Sequence, residues 1–262
     1  MLRVCILDVS DHKQLFEDEL FQKFMFQESF SQCASFHVAQ NKWPVASEDV
    51  AHENSPNNSI IRYLLKHFDA VLITGSEDCC MDDSLCYIKQ LCDLIRDLVD
   101  INFPVFGICF GAQAIIRALF GKQSVAHLKD LGKEPEFGCI ALELTKEGKE
   151  CGLFDGIEHV REGVAFYSSS SHSDAFLLNN DQVERIIQSR HWENQGYRIK
   201  GKMCYGLQFH PEMDTHASNA IFNSVTTVPI KYDDHVHELD MSVGVKIAKN
   251  FAYMVLHKKN NN

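Results

Sequence analysis

The stretch 103–120, FPVFGICFGAQAIIRALF, decides how the rest of this chain is read. Val105 to Ile108 is a short apolar run. It leads into a Gly-x-Cys-x-Gly turn at Gly107, Cys109 and Gly111, and from there into an apolar-periodic helix expected to begin near Ala112. Strand, sharp turn and helix in that order are the setting of a nucleophile elbow. Glycines on both sides read as steric clearance for a residue forced into a strained turn. The helix that follows directs unpaired N–H groups and its positive dipole end at the sulfur, which favours thiolate and can stabilise an oxyanion. The same spacing also suits a cysteine packed as a small apolar residue between strand and helix.

A second stretch, Tyr205 to Asp214, reads YGLQFHPEMD. Residues two apart in an extended chain share a face, about 6 to 7 Å apart, and Pro211 between them stiffens the backbone. Glu212 is therefore placed to hold one imidazole nitrogen of His210 while the other faces a nucleophile. With Cys109 this makes a Cys-His-Glu triad.

GICFGAQ and GLQFHPE together resemble the two signature motifs of the class I glutamine amidotransferases, in particular stand-alone proteins similar to the amidotransferase domain of GMP synthase. VLITGS at 71–76, Gly121-Lys122, EFG at 136–138, LFDG at 153–156 and SHSD at 171–174 extend the resemblance in order from about Phe68 to Glu212. It implies a three-layer α/β/α sandwich with a mostly parallel central sheet and added hairpins. It also implies a glutaminase-type cysteine hydrolase that cleaves the side-chain amide of glutamine, or a γ-glutamyl amide bond, through a thioester. The resemblance places Gly75 and Phe110 at the oxyanion hole, Gln113 against the substrate, and His172, Ser173 and Asp174 in the loop lining the glutamine pocket. Ala112 departs from the family, which often carries His or Met there. No cofactor and no metal are implied.

Two alternatives remain open on sequence. An α/β-hydrolase can carry the same elbow, but its acid normally precedes the histidine by many residues, whereas Glu212 follows it. A non-catalytic binding or regulatory protein on the same fold is the other.

At 262 residues and 45% hydrophobic content, the chain suits one α/β domain over 1–262 and is too short for a synthetase domain besides. Ammonia would then pass to a separate synthetase subunit, or the protein would act alone as a γ-glutamyl peptidase. A charge of −11 and a pI near 5.6 argue against nucleic acid or an anionic membrane as partner. With no secretory signal or membrane span visible, and ten cysteines lacking any C-x-x-C pair, a reduced, cytoplasmic setting is expected. Cys79, Cys80, Cys86 and Cys92 match no common zinc spacing and read as core or surface thiols.

Strands are expected at Leu2–Val9, Ser35–Gln40, Asp69–Thr74 and Val105–Ile108. Helices are expected at 13–30, Ser59–His67, 82–100 (capped by Asp83 or Ser84) and Ser242–Leu256. Asn41–Asn58 reads as loop. Glycines and the alternating run Cys139 to Leu144 suggest hairpins between 121 and 159, and the serine run after Tyr167 reads as a flexible loop. Residues 213–241, including Asp233, Asp234, His235, His237 and Glu238, read as an acidic loop, and Lys258 to Asn262 as a polar tail.

Overall fold

The computed structural model describes residues 1–10, 20–22, 31–45, 56–157, 159–225 and 239–260. In chain order, the first half contains β1 (Leu2–Asp8), β2 (Ser31–His37), α1 (Pro56–His67), β3 (Ala70–Ile73), α2 (Cys86–Asp100), β4 (Val105–Ile108) and α3 (Phe110–Phe120). The second half contains β5 (Val125–His127), β6 (Glu136–Leu144), α4 (Lys146–Glu150), β7 (Phe166–His172), β8 (Asp174–Phe176), β9 (Val183–Gln188), β10 (Gly196–Ile199), β11 (Cys204–Leu207), α5 (Thr215–Val225) and α6 (Met241–Asn260).

Nine strands form one sheet in the order β2-β1-β3-β4-β11-β10-β9-β6-β7, and β5 pairs with β8 in a separate ribbon. From β2 to β11 every pairing is parallel; from β11 to β7 every pairing is antiparallel. Two apolar clusters lie on opposite faces. One joins alternate residues Cys5, Leu7, Val71 and Ile73 to α1, α2 and α3; the other joins Val4, Ile6, Leu72 and Phe106 to Phe251 and Val255 of α6. Alternation along β1 and β3 thus feeds both layers. The result is an α/β/α arrangement around a large sheet whose strands from β2 to β11 are parallel. Among the described residues no helix is long and apolar enough to cross a membrane.

Several boundaries differ from the sequence expectation. Strand β2 begins at Ser31, and Val38–Gln40 is a 3-10 helix rather than strand. Helix α2 starts at Cys86 without a side-chain cap. Asp83 instead binds Lys122 at 2.6 Å and Arg117, while Asp82 Oδ1 accepts from Ser84 N at 2.9 Å. Helix α3 starts at Phe110, directly behind the elbow.

The serine run is not a loop. It is most of β7, paired along its length with β6, and Ser168, Ser169 and Ser170 are buried. The stretch expected as loop after Met213 contains α5, and α6 continues through the supposed tail to Asn260. The helix expected over 13–30 lies mostly outside the described residues, as do Asp233, Asp234, His235, His237 and Glu238.

Candidate active site

Cys109 occupies the turn between β4 and α3 with φ 48° and ψ −108°, a conformation a side chain rarely adopts. Its position is fixed from three directions. Cys109 N donates to Leu207 O at 2.7 Å, Gly111 N donates to Thr74 O at 3.1 Å, and Gln113 N donates to Cys109 O at 3.0 Å. The flanking glycines serve these contacts rather than clearance around the sulfur. A Cβ on Gly107 would stand 2.5 Å from the Gly111 carbonyl carbon, and one on Gly111 would stand 2.3 Å from Ile73 O. Only glycine lets helix and strand approach so closely.

Beyond β11 the chain passes through Gln208 and Phe209 to His210, whose N–H donates to Ser169 O of β7 at 2.8 Å. His210 Nδ1 donates to Glu212 Oε1 at 2.6 Å, and the imidazole lies close enough to Cys109 to feel the charge of its sulfur. The fold thus brings Cys109 together with the His210–Glu212 pair from two separate elements. The sulfur further lies 3.6 Å from Gln208 Nε2, a donor, and 3.7 Å from Ser171 O.

His210 and Glu212 are shut off from solvent. Burial alone would push the imidazole towards neutrality. The nearby Glu212 carboxylate and the Cys109 sulfur outweigh that and hold its pKa well above the ordinary histidine value. Glu212 Oε2 has no hydrogen-bond partner among the described residues. The turn carrying this pair is backed by α6: a Cβ on Gly244 would come within 2.0 Å of Pro211 O, so the helix rests directly on the His-Pro-Glu backbone.

The residues expected on the substrate side form a second connected group. Gln113 Nε2 donates to Asp174 O at 2.8 Å and to Gln208 Oε1 at 3.3 Å. His172 Nδ1 donates to the same Asp174 carbonyl at 2.9 Å, and its Nε2 faces Glu136 Oε2 at 3.1 Å. Both ring nitrogens are therefore engaged within the wall. Ser173 is exposed and its carbonyl accepts from Leu128 N at 2.8 Å. The Asp174 carboxylate is bonded to His127, with Cys79 close by.

Gly75 is buried beyond the end of β3, and Phe110 opens α3, where first-turn N–H groups lack intrahelical partners. A site of this kind pairs a thiol on a helix N-terminus with a carboxylate-backed imidazole, the arrangement for nucleophilic attack on a carbonyl with proton transfer.

Two residues at the site were not singled out from sequence. Gln208 touches the sulfur, and Glu136 gathers Ser170 Oγ at 3.0 Å, His172, Gln195 and, through its other oxygen, Ser189 Oγ at 2.9 Å. Both lie inside stretches already noted, GLQFHPE and EFG, so their place in those motifs was the available signal.

Comparison with known proteins follows the same outline. GMP synthase [glutamine-hydrolyzing] of Rhizobium rhizogenes is 29% identical over 144 residues, 55% of this chain but 24% of that enzyme. Gamma-glutamyl peptidase 4 of Arabidopsis thaliana is 32% identical over 149 residues, 56% of this chain and 55% of the peptidase. The matches thus span from about a quarter to about half of these relatives' length. A crystal structure of a glutamine amido transferase from Methylobacillus flagellatus superposes with a TM-score of 0.66 at 17% identity, covering 98% of this chain and 95% of that one, a likeness of fold. The profile of the family described as "Glutamine amidotransferase class-I" matches residues 36–228. The chain belongs to the class I glutamine amidotransferase family.

Proposed function

We propose that this protein hydrolyses the side-chain amide of glutamine, or the γ-glutamyl amide bond of a small peptide, through a γ-glutamyl thioester on Cys109. The observation that carries this reading is Cys109 on a strained elbow at a helix N-terminus with the hydrogen-bonded His210–Glu212 pair beside it. His210 holds the proton given up by the thiol while the sulfur, as thiolate, attacks the γ-carbonyl carbon. The N–H groups of Gly75 and Phe110 hold the developing oxyanion, and His210 returns the proton to the departing nitrogen. Ammonia or an amine leaves. Water, deprotonated by His210, then cleaves the thioester and releases glutamate. Glu212 keeps the ring in the required tautomer and stabilises its protonated form. Gln113, with Gln208, shapes the floor on which the substrate lies, beside the wall formed by His172, Ser173 and Asp174.

The two candidate substrates are separated by which relative the chain follows. The alignment with the peptidase covers similar shares of both proteins, which supports hydrolysis of γ-glutamyl peptides by the chain alone. The alignment with the synthase supports glutamine as ammonia donor to a separate synthetase subunit.

Purified protein incubated with glutamine and with a panel of γ-glutamyl peptides should release glutamate, and Cys109→Ala should abolish release while leaving the fold intact. Turnover persisting in Cys109→Ala would sink the assignment. Fast peptide turnover by the isolated chain would rule out an obligatory partner, and silence on every substrate would count against lone hydrolysis.

A further inference from the structure

Asp174 belongs to two groups at once. Its backbone carbonyl holds Gln113, while its carboxylate is the centre of a separate convergence of side chains. Cys79 lies in the turns that follow β3, His127 ends β5 and Asp174 begins β8. In the two-stranded ribbon His127 and Asp174 are direct cross-strand partners, so two of the three side chains are set side by side by backbone pairing. One atom from each, a thiol sulfur, an imidazole nitrogen and a carboxylate oxygen, all lie within 4.8 Å of one another. His127 Nδ1 is hydrogen-bonded to the Asp174 carboxylate, and the Cys79 sulfur lies beside both.

We propose that Cys79 Sγ, His127 Nδ1 and the Asp174 carboxylate form a binding site for a zinc-class divalent cation, with a fourth coordination position left for water. A mixed set of thiolate, imidazole and carboxylate selects this class: magnesium and calcium take oxygen ligands, whereas zinc accepts all three donor types in tetrahedral geometry. Three protein ligands and an open position is the pattern of a non-structural zinc site. The three residues are half-buried, and the His127 side chain keeps 40% of its surface exposed, which gives an ion a route in. Binding forms an S–metal bond and releases the thiol proton to solvent, with no change of oxidation state. Without a cation, burial and the adjacent Asp174 carboxylate push the Cys79 thiol up to about 11, so the sulfur waits as a thiol. The ion would tie the turns that follow Gly75 to the β5–β8 ribbon, next to the carbonyl that positions Gln113.

The test is titration of metal-stripped full-length protein with cobalt(II) chloride and, by calorimetry, with zinc chloride. Wild type should bind about one equivalent, develop a thiolate-to-cobalt charge-transfer band and release a proton. Cys79→Ser should lose the band, and His127→Ala and Asp174→Asn should weaken zinc by at least roughly 10- to 100-fold, the loss that even an outer-shell change causes. Cys109→Ser should keep the band. Absence of a band in wild type, or unchanged zinc affinity in His127→Ala with native circular dichroism, would overturn the proposal. So would a band that survives in Cys79→Ser and vanishes in Cys109→Ser, because the metal would then sit on the elbow. The readout is metal binding, so failure of the hydrolase reading would leave this result intact, and the reverse.

Discussion

Strands β4 and β7 are both buried, yet they are held by opposite means. Val105, Phe106 and Ile108 of β4 present side chains with nothing to satisfy, and burial in the two apolar layers is enough. Strand β7 sinks Ser168, Ser169, Ser170 and His172 into the protein, and each hydroxyl or ring nitrogen there costs stability unless a partner meets it. For three of the four, side-chain partners do: Glu136 for Ser170 and His172, Ser218 and Met213 for Ser169. Apolar burial has no direction and tolerates small shifts. Hydrogen-bonded burial fixes position. That difference matters at the site, where β4 delivers the sulfur and β7 supplies the carbonyls of Ser169 and Ser171 that meet His210 N and Cys109 Sγ.

The comparison breaks most severely on the β4 side. Gly111→Val would drive a side chain into the backbone oxygen of Ile73, which cannot swing aside, so we expect no folded protein or a loss above about 4 kcal/mol in urea unfolding. A variant within 1 kcal/mol of wild type would show that the elbow tolerates movement. Next come the two residues that join the strands. His210→Ala should lower kcat/KM on the best substrate on the order of 10^4-fold or more, and Glu212→Gln on the order of 10- to 100-fold less than that. An equal or reversed ranking would make Glu212 a structural residue. Because removal of the carboxylate takes away a group that raises the His210 pKa, the pH at which His210 loses its proton should fall in Glu212→Gln, followed by NMR of the imidazole.

On the β7 side, Glu136→Gln should cost about 1 to 3 kcal/mol, since it loosens a carboxylate that gathers four donors. Burial opposes ionisation of Glu136, but His172 and the serines outweigh it and leave its pKa below the ordinary glutamate value. Its contribution is therefore complete above about pH 4.3, the unfolded value, and is lost as pH falls through the lower folded one. Equal stability of Glu136→Gln and wild type across that range would mean the network is passive.

The smallest effect belongs to the other end of the sheet, where Asp69 binds Arg3 and Lys259. Burial pushes its carboxyl up, but these cations bring it down to about 2. The stabilisation is present above about pH 3.9 and fades towards pH 2. Arg3 and Lys259 are partly exposed, so Asp69→Asn should cost less than about 1 kcal/mol at neutral pH, checked by thermal unfolding in low and high salt.

The parallel half of the sheet was legible because its signals are local. The apolar runs at 2–8, 70–73 and 105–108 need only burial on two faces, and sequence shows it directly. The residues of the proposed triad could be singled out for a similar reason: His210 and Glu212 stand two apart, and the elbow residues are contiguous. What could not be read depends on distant partners. Serines in β7 are tolerable only because Glu136 and Ser218, remote in sequence, complete them. Asp83 reads as a cap until Arg117 and Lys122 draw its carboxylate away. Nothing local marks Cys79, His127 and Asp174 as neighbours, because only the β5–β8 pairing and the turns after β3 bring them together.

Gly244 gives the molecule an order in time. A ribosome releases the elbow and its thiol well before β11, and β11 before the helix that rests on Pro211 through the glycine's missing Cβ. A nascent chain therefore carries its sulfur while the residues from 110 to 209 are added, before the imidazole of His210 exists beside it. Even after His210 and Glu212 have emerged, the turn that holds them lacks its backing until α6 docks. The complete cluster is thus the last feature the growing polypeptide acquires, and a chain stalled before Gly244 is left with a His-Pro-Glu turn that has no fixed seat.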